Sequence, residues 1–422
     1  MSWKDKAFDR LLMFYRSIGQ ATNASDLSGK SWHRIGMSNE FVVYDQSMLV
    51  EASACLLENK TIGDNYSQQA LSQLIANRLT AGFAKEPDQI HSRIDDLLSE
   101  LSNASPETMN VFMVVQGVSF SQRMKIGAFE FIPAKDYETI ENKALNGRLE
   151  LPDNEKLANH VMVSVEACEP GKAREKAYVE FQWLENAIRL FIGFDNCDVG
   201  ITSFRGSSIE NSLVTAADGS ARWASSCLKG AFIPLPLEKA FTSERPYYSV
   251  LDKLGRNRKE LTNLQKQIRH AVYLGGLSAR ETVPEIAYFL CVSGLEALFQ
   301  VETDKYVNPS IAQQIIEAFC YLIADEDKRR KTFEQMLPFY GKRSAVVHGG
   351  KTKVSKKEVE LVRNYLRAAV IKLIDDPILS KLKTPEALAA LVRDKKFGPP
   401  ADQVSNLDTP RHAALSTRTC LS

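Results

Sequence analysis

The first hundred residues carry apolar side chains at the three- and four-residue spacing of amphipathic helices. This pattern is clearest from Phe8 to Tyr15 and again from Leu71 to Leu79. The β-prone residues from Phe41 to Tyr44 interrupt it and indicate a short strand. Residues 1–105 are therefore predicted to form a mostly helical region.

Between residues 106 and 240 the pattern changes to short runs of β-branched and aromatic residues separated by polar segments. The predicted elements are strands over 110–115, 125–132, 160–165 and 199–202, and a long amphipathic helix over 173–191. The strand over 160–165, the helix over 173–191 and the strand over 199–202 follow one another in the chain. This order predicts an α+β domain in which a helix backs a small sheet. Nothing in the composition of the first 250 residues marks an active site, so we interpret them as a packing or recognition region.

The C-terminal part is predicted to be all-helical, because its apolar periodicity is punctuated by helix start and stop signals. The predicted helices run over 258–271, 284–300, 308–322, 332–348 and 355–375. Pro284 suits a first helical turn, and Ser355 with Glu358 forms a capping box. The fold class is thus α+β overall, with an all-α domain over 245–397 and a polar, disordered tail over 398–422.

Composition is that of a globular protein of two or three domains, with 422 residues of which 44% are hydrophobic. Charge is uneven, because residues 251–400 hold 26 Lys and Arg against 18 Asp and Glu, whereas residues 1–250 hold 25 against 32. A basic C-terminal domain permits an anionic partner such as RNA. No apolar run approaches the roughly 20 residues of a membrane helix, and the charged start is unlike a signal peptide. We expect a cytoplasmic protein without membrane contact.

The seven cysteines are scattered without a CxxC pair or a histidine at metal-ligand spacing. The sequence therefore predicts neither a disulfide framework nor a metal site, and no cofactor is expected.

Arg343 and His348 are the candidate catalytic residues. They lie five positions apart at the end of a predicted helix, where a regular helix would separate them by about 140°. The apolar residues between them should pack against a core and fix their directions, and Gly349 and Gly350 should end the helix. On spacing alone a simpler interpretation stands beside this one, in which His348 caps the helix end and Arg343 forms a surface ion pair.

The segment from Tyr340 to Gly350 resembles the Tyr-x-x-Arg-Ser-x-x-x-His-Gly signature of the Apea-like branch of the HEPN superfamily. Upstream, the segment from Ser293 to Phe299 resembles the apolar helix with a Leu-Glu-Ala-Leu core that precedes this motif, and Ile268–Val272 is similar to the first long helix. The resemblance covers about residues 245–380. Ser344 is a departure, because several toxin-type members place an amide or an acid after the arginine.

This resemblance implies an all-helical HEPN domain that dimerises so that the motifs of both chains face one cleft. It implies a metal-independent endoribonuclease in which Arg343 and His348 cut RNA to 2′,3′-cyclic phosphate ends, with Tyr340 and Ser344 in support. A toxin-like or anti-phage role is implied as well, with the N-terminal region sensing a phage-derived or cellular trigger. The basic flank is predicted to follow the RNA backbone and comprises Lys342, Lys351, Lys353, Lys356 and Lys357. Replacing Arg343 or His348 by Ala should abolish cleavage with little change in melting temperature.

Glu296 is the only charged residue between Ile286 and Gln300. A carboxylate on so apolar a helix needs a partner if it is buried, and Arg343 is the natural candidate. The alternative places Glu296 on a narrow solvent stripe of the helix.

Two alternative functions stay open at this point. The first is a catalytically silent HEPN module that serves dimerisation or the binding of a nucleotide or partner. The second is a phosphate-binding loop at Ala345-x4-Gly350-Lys351-Thr352, with Ile371–Asp376 as its downstream acidic strand. This second alternative is the weaker one, because the pattern before the loop is helical and Ser355 caps the next helix separately.

Overall fold

The computed structural model divides the chain into two compact units, Met1–Glu185 with Phe194–Phe241 and Asn186–Gly193 with Thr242–Ser422. The structure describes residues 2–21, 31–34, 41–85, 89–145, 158–192, 199–202, 209–215, 221–227, 234–301, 310–349 and 353–398. The helices and the antiparallel sheet of the first unit give the α+β class that the sequence predicts. Within the described residues, no helix combines the length and the apolar character needed to cross a lipid bilayer.

The first unit begins with a cluster of helices, as predicted. These are α1 (Trp3–Arg16), α2 (Gln46–Leu57), α3 (Lys60–Asn65), α4 (Gln68–Lys85) and α5 (Ile90–Asn103). They bury one shared core that includes Leu11, Phe14, Leu56 and Ile75, each with no exposed surface. The helices are amphipathic, so this shared burial explains why they fold together.

Three short antiparallel strands accompany these helices. They are β1 (Gly19–Ala21), β2 (Ser31–Arg34) and β3 (Phe41–Tyr44), in the order β1-β3-β2. The predicted strand over 41–44 is confirmed as the central one. The two outer strands carry no clear alternation and were not predicted.

A six-stranded antiparallel sheet forms the second part of this unit, in the order β10-β9-β4-β8-β7-β6. The strands are β4 (Glu107–Val114), β5 (Val118–Ser119), β6 (Met124–Ile126), β7 (Phe129–Ile132), β8 (His160–Ala167), β9 (Ile209–Thr215), β10 (Ala221–Cys227) and β11 (Leu235–Pro236), of which β5 and β11 form a separate parallel pair. The helices are α6 (Ala134–Leu145), α7 (Pro170–Ile192) and the short α8 (Leu237–Ala240).

Helices α6 and α7 contact strand residues on opposite faces of the six-stranded sheet. Tyr137 of α6 packs in a cluster with Phe112 and Ile132. The ring of Phe129 lies 6.3 Å from that of Phe181 and 6.2 Å from that of Trp183, both on α7. The predicted sheet backed by a helix is therefore confirmed, together with a second helix on its other face.

Two of the predicted strands are wrong in detail. The segment 125–132 is not one strand, because it turns at Gly127, whose φ of 59° suits glycine, and so forms the β6–β7 hairpin. Residues 199–202 form only an isolated bridge through Gly200. The buried carboxylate of Glu185 accepts the N–H groups of Ile201 and Thr202 at 2.8 and 2.7 Å, which removes the donors that a sheet ladder would need.

The described residues of the second unit contain helices and no strand. Besides the last residues of α7, they form α9 (Pro246–Leu254), α10 (Asn263–Arg280), α11 (Pro284–Phe299), α12 (Ile311–Ala318), α13 (Arg329–Gly349), α14 (Lys356–Asp375) and α15 (Pro385–Phe397). A π-helical turn, Phe319–Ile323, continues α12. Single 3₁₀ turns lie at Glu326–Lys328 and Leu379–Lys381.

The predicted starts of α11 and α14 match the structure, whereas those of α10 and α13 shift. The Ser355 capping box is present and starts α14 as predicted. Helix α10 begins later than predicted, because Thr262 forms its own capping box with Gln265. Helix α12 is capped by Ser310, and the predicted cap at 308–309 lies outside the described residues. Helix α13 starts at Arg329, three residues before the predicted start.

Helix α15 was not predicted, although Thr384 and Pro385 supply the same cap-and-proline signal as other helices. The predicted disordered tail, apart from its first residue Gly398, lies outside the described residues.

Aromatic rings join three helices of the second unit around Tyr365 of α14. Its ring lies 5.1 Å from Phe319 and 5.6 Å from Phe339, in edge-on or tilted arrangements. Phe299 of α11 lies a further 6.3 Å from Phe319. This cluster packs α13 against α14 and links α14 to α11 through Phe319, and so helps to position the helix that carries Arg343.

Candidate functional site around Arg343

Helix α13 carries the candidate motif in one continuous run of helix from Arg329 to Gly349. The main chain at positions 343 and 348 therefore belongs to the same helix, as predicted. The side chain of Arg343 is described in full. The side chains of Tyr340 and His348 lie outside the described part of the structure, so their predicted roles stay predictions.

Arg343 forms an ion pair with Glu296 of α11. Nη2 of the guanidinium donates to Oε2 of the carboxylate at 3.2 Å, and Nε lies 3.2 Å from Oε1. The Arg343 side chain is 22% exposed and the Glu296 side chain 12% exposed. The predicted pairing is confirmed, and the alternative that leaves Glu296 on a solvent stripe is wrong.

Phe289 supplies a second contact to the guanidinium. The Cζ atom of Arg343 lies 5.4 Å from the centre of the Phe289 ring, within the range of a cation–π interaction. Phe289 and Glu296 are seven residues apart and therefore lie on one face of α11. Phe289 was not among the predicted site residues, because its seven-residue spacing from the lone charge is only a weak signal on an apolar helix.

Lys342, the residue before Arg343, has a partner within the chain. Its ammonium group donates to Glu358, which also accepts the Ser355 N–H at 2.8 Å and the Ser355 hydroxyl at 2.7 Å. The Lys342 hydrogen bond, followed by those from Ser355, lowers the pKa of Glu358 to about 2. This ion pair connects the C-terminal part of α13 to the start of α14. The predicted contact of Lys342 with RNA stays a prediction.

Three of the other predicted RNA-contacting lysines lie exposed at the start of α14, namely Lys353, Lys356 and Lys357. The segment that carries them is anchored by Glu285, whose Oε1 accepts the N–H of the buried Val354 at 3.1 Å. That hydrogen bond lowers the pKa of Glu285. Lys351 lies outside the described residues.

The outward side of α13 exposes large apolar side chains. Phe333, Leu337 and Val347 are 45%, 56% and 47% exposed. Together with the half-buried Ser344 they are four, seven and three residues apart along the chain, which places them on one side of the helix. Helix α13 therefore holds Arg343 on one side, where the side chain is 22% exposed, and exposes this stripe on another.

The predicted phosphate-binding loop is contradicted by the main chain. Residues 345–349 lie within α13, and residues 371–375 lie within α14 rather than in a strand. A phosphate loop requires a buried strand that leads directly into the loop. Lys351 and Thr352 themselves lie outside the described residues.

Within the part of the chain that the structure describes, no three His, Cys, Asp or Glu side chains come together as metal ligands. The Arg343 guanidinium is partly exposed and is held by two contacts from α11. Such a group can bind a phosphate oxygen or neutralise charge that develops on it.

No protein-family model matches this chain, and neither a curated protein nor a solved structure shows significant similarity to it. A functional assignment therefore has to rest on the residues around Arg343.

Proposed function

We propose that the chain is a metal-independent endoribonuclease of the HEPN type. The 2′-hydroxyl of RNA attacks the adjacent phosphorus, the bond to the 5′-oxygen breaks, and the products are a 2′,3′-cyclic phosphate and a 5′-hydroxyl. RNA supplies its own nucleophile, so the protein has to move two protons and stabilise an anionic intermediate. The observation that carries the proposal is the partly exposed Arg343 guanidinium. Glu296 and Phe289 of α11 orient it, and Arg343 lies on α13, the helix that also bears His348.

Arg343 and His348 have complementary roles in this proposal. The planar guanidinium neutralises the extra charge of the pentacoordinate phosphorus through paired N–H donors. An imidazole with an ordinary pKa near 6.5 accepts or donates a proton around neutrality. Glu296 supports the reaction by holding the guanidinium in one orientation. Ser344 and Tyr340 belong to the same helix as Arg343, and their supporting roles are those that the resemblance implies.

The basic flank of the site provides a track for the RNA backbone. The exposed ammonium groups of Lys353, Lys356 and Lys357 lie on a segment that Glu285 and Glu358 hold in place. Phosphate contacts from lysine add affinity without sequence preference, and the affinity should fall with increasing salt. Lys351 and Lys342 complete the proposed track, although Lys342 would first have to release Glu358.

We further propose that the active form is a homodimer formed through the exposed stripe of α13. The stripe consists of Phe333, Leu337, Ser344 and Val347. The reaction uses both a proton acceptor and a proton donor, whereas one motif offers a single histidine. A second copy of the chain on this face would supply the other histidine and would cover the apolar side chains.

The wider biological proposal follows from the resemblance of residues 245–380 to HEPN domains. In it, the bundle of α10, α11, α13 and α14 is the HEPN core. The enzyme acts as a toxin or in defence against phage, and the acidic first unit responds to a phage-derived or cellular trigger.

The decisive experiment incubates the pure full-length protein with total RNA in a chelator and analyses the new ends. Wild type should produce 2′,3′-cyclic phosphate ends, whereas His348→Ala should produce none and Arg343→Lys should produce them much more slowly. Lys at 343 keeps the charge that compensates Glu296 but lacks the paired donors, so the variant should fold. Arg343→Ala leaves Glu296 without its partner, so the expectation that its melting temperature stays unchanged does not fit the observed pair.

Matched controls separate the site from general charge effects. Arg330→Ala removes a 92% exposed arginine from the same helix, and His270→Ala removes an exposed histidine from α10. Both should cut RNA like wild type. Equal cleavage by wild type and both site variants would contradict the proposed function.

A silent HEPN module is the second candidate, and one observation favours it. Glu296 already compensates the charge of Arg343, as it would in a purely structural pair. This candidate predicts a dimer that binds its partner but leaves RNA intact in wild type and variants alike.

A further inference from the structure

A proline interrupts the main-chain hydrogen bonding of helix α13 five residues before Arg343. Pro338 lies inside the helix and has no N–H group, so the hydrogen bond that residue 338 would donate is missing. The next residue, Phe339, begins the turn that leads to Arg343. An α-helix with a missing bond bends or frays more easily, so the direction of Arg343 depends on what holds this turn.

The hydroxyl of Tyr288 on α11 holds that turn. Its Oη donates to the main-chain oxygen of Phe339 at 2.9 Å. In α-helical geometry the same oxygen accepts the N–H of the residue four positions later, which is Arg343. The Tyr288 hydroxyl and the main chain of Arg343 therefore meet at one carbonyl group.

Tyr288 is suited to a permanent anchoring role. Its side chain has no exposed surface, and this burial, as the main cause, raises its pKa, so the hydroxyl stays protonated and stays a donor. The adjacent Phe289 and the more distant Glu296 contact the guanidinium from the same helix. One helix thus locates both the main chain and the side chain of Arg343.

We propose that Tyr288 is a positioning residue for Arg343, acting through the carbonyl of Phe339. Its importance for RNA cleavage rests on the proposed function, whereas its effect on the main chain of α13 does not. The ring of Tyr288 belongs to the buried core, but the hydroxyl alone makes the contact with α13 that matters here.

The test replaces Tyr288 by Phe in the full-length protein, which removes the hydroxyl and keeps the ring. Tyr365→Phe is the matched control, because the Tyr365 hydroxyl also bonds to α13, at 2.9 Å, but to the exposed side chain of Gln335. Amide hydrogen exchange is measured over residues 340–346. We expect exchange at least about threefold faster in Tyr288→Phe and unchanged in Tyr365→Phe.

Kinetics supply the second readout. Tyr288→Phe should lower kcat by about 3- to 10-fold with KM within about twofold, because the guanidinium is misplaced while RNA still binds. Added to Arg343→Lys, it should lower cleavage no further. A purely structural role would instead lower the amount of folded protein and would add to the Arg343→Lys defect.

The outcomes of these experiments distinguish the positioning role of Tyr288 from the proposed ribonuclease activity. Unchanged exchange over 340–346 in Tyr288→Phe overturns the positioning role, as does faster exchange with wild-type cleavage. Faster exchange in a protein whose wild type never cuts RNA supports the anchor and refutes the ribonuclease. If Tyr288→Phe alone is too unstable to study, the comparison is made in a Gly341→Ala background, in which α13 should be more stable because the new Cβ has open space around it. Unchanged exchange over 340–346 between Gly341→Ala and the double variant overturns the proposal.

Discussion

Replacing Glu296 by Gln removes one charge from the ion pair that holds Arg343, with almost no change in shape. Both N–O distances in this pair are 3.2 Å, and the side chains are 12% and 22% exposed. Opposite charges about 4 Å apart attract by about 4 kcal/mol at an effective dielectric constant of about 20. The cost of removing both ions from water offsets much of that attraction.

The net loss for Glu296→Gln should therefore be about 1–3 kcal/mol, because the pair is mostly buried but its Nη2–Oε2 hydrogen bond is long. In a unit of this size each kcal/mol lowers the melting temperature by about 2–4 °C. The same substitution should lower RNA cleavage strongly, since Arg343 loses the carboxylate that orients it.

A double-mutant cycle with Arg343→Gln isolates the pair, measured by chemical unfolding of the full-length protein. Glu334→Gln is the control, because Glu334 pairs with Arg330 on the surface of α13, the helix that carries Arg343. This substitution should change the stability by less than about 0.5 kcal/mol. A coupling energy below about 0.3 kcal/mol between Glu296 and Arg343 would refute the electrostatic reasoning.

Three further predictions concern the surface, the packing and the pH dependence of the protein. Leu337→Glu should convert the proposed dimer to a monomer in light scattering, whereas Val50→Glu, also at an exposed apolar position, should not; a dimeric Leu337→Glu contradicts the interface. Gly276→Ala should cost at least about 1–3 kcal/mol, because its Cβ would lie 2.1 Å from a main-chain oxygen of a facing helix, while Gly341→Ala, with open space around it, should stabilise α13 by about 0.5–1 kcal/mol; equal effects in thermal unfolding would contradict this. Burial lowers the pKa of His160 from 6.5 to about 3, so the neutral ring's contribution to stability is complete above pH 6.5 and falls by about 1.4 kcal/mol per pH unit toward pH 3. His160→Phe should remove this part of the acid sensitivity, and an unchanged pH dependence of unfolding would argue against it.

Part of the candidate site could be predicted from the sequence, because a charged residue in an otherwise apolar helix needs a partner of opposite charge if it is buried. Glu296 is the lone charge in an apolar helix, and burial of such a carboxylate demands a cation, so its pairing with Arg343 followed from elementary electrostatics. Phe289 and Tyr288 gave no comparable signal. Aromatic residues on a buried helix are ordinary core residues unless the partner across the fold is known.

The contact of Lys342 could not be predicted from the sequence either. Its position beside Arg343 suggested a surface contact for RNA, whereas the fold brings it to Glu358, sixteen residues away in the chain. The sequence shows that both charges exist but not that the ends of α13 and α14 meet. The predicted strand over 199–202 failed for a similar reason, because the carboxylate of Glu185 takes its N–H donors.

The sequence by itself determined the starts of α11 and α14 and the α+β class. The Ser355 capping box and the proline at the start of α11 act within four residues, so no distant contact is needed to place them. Tertiary structure alone decided which side chains of α11 hold Arg343 and which face of α13 stays exposed. These features depend on pairings between segments far apart in the chain, and their energies arise only when packing brings the partners into contact.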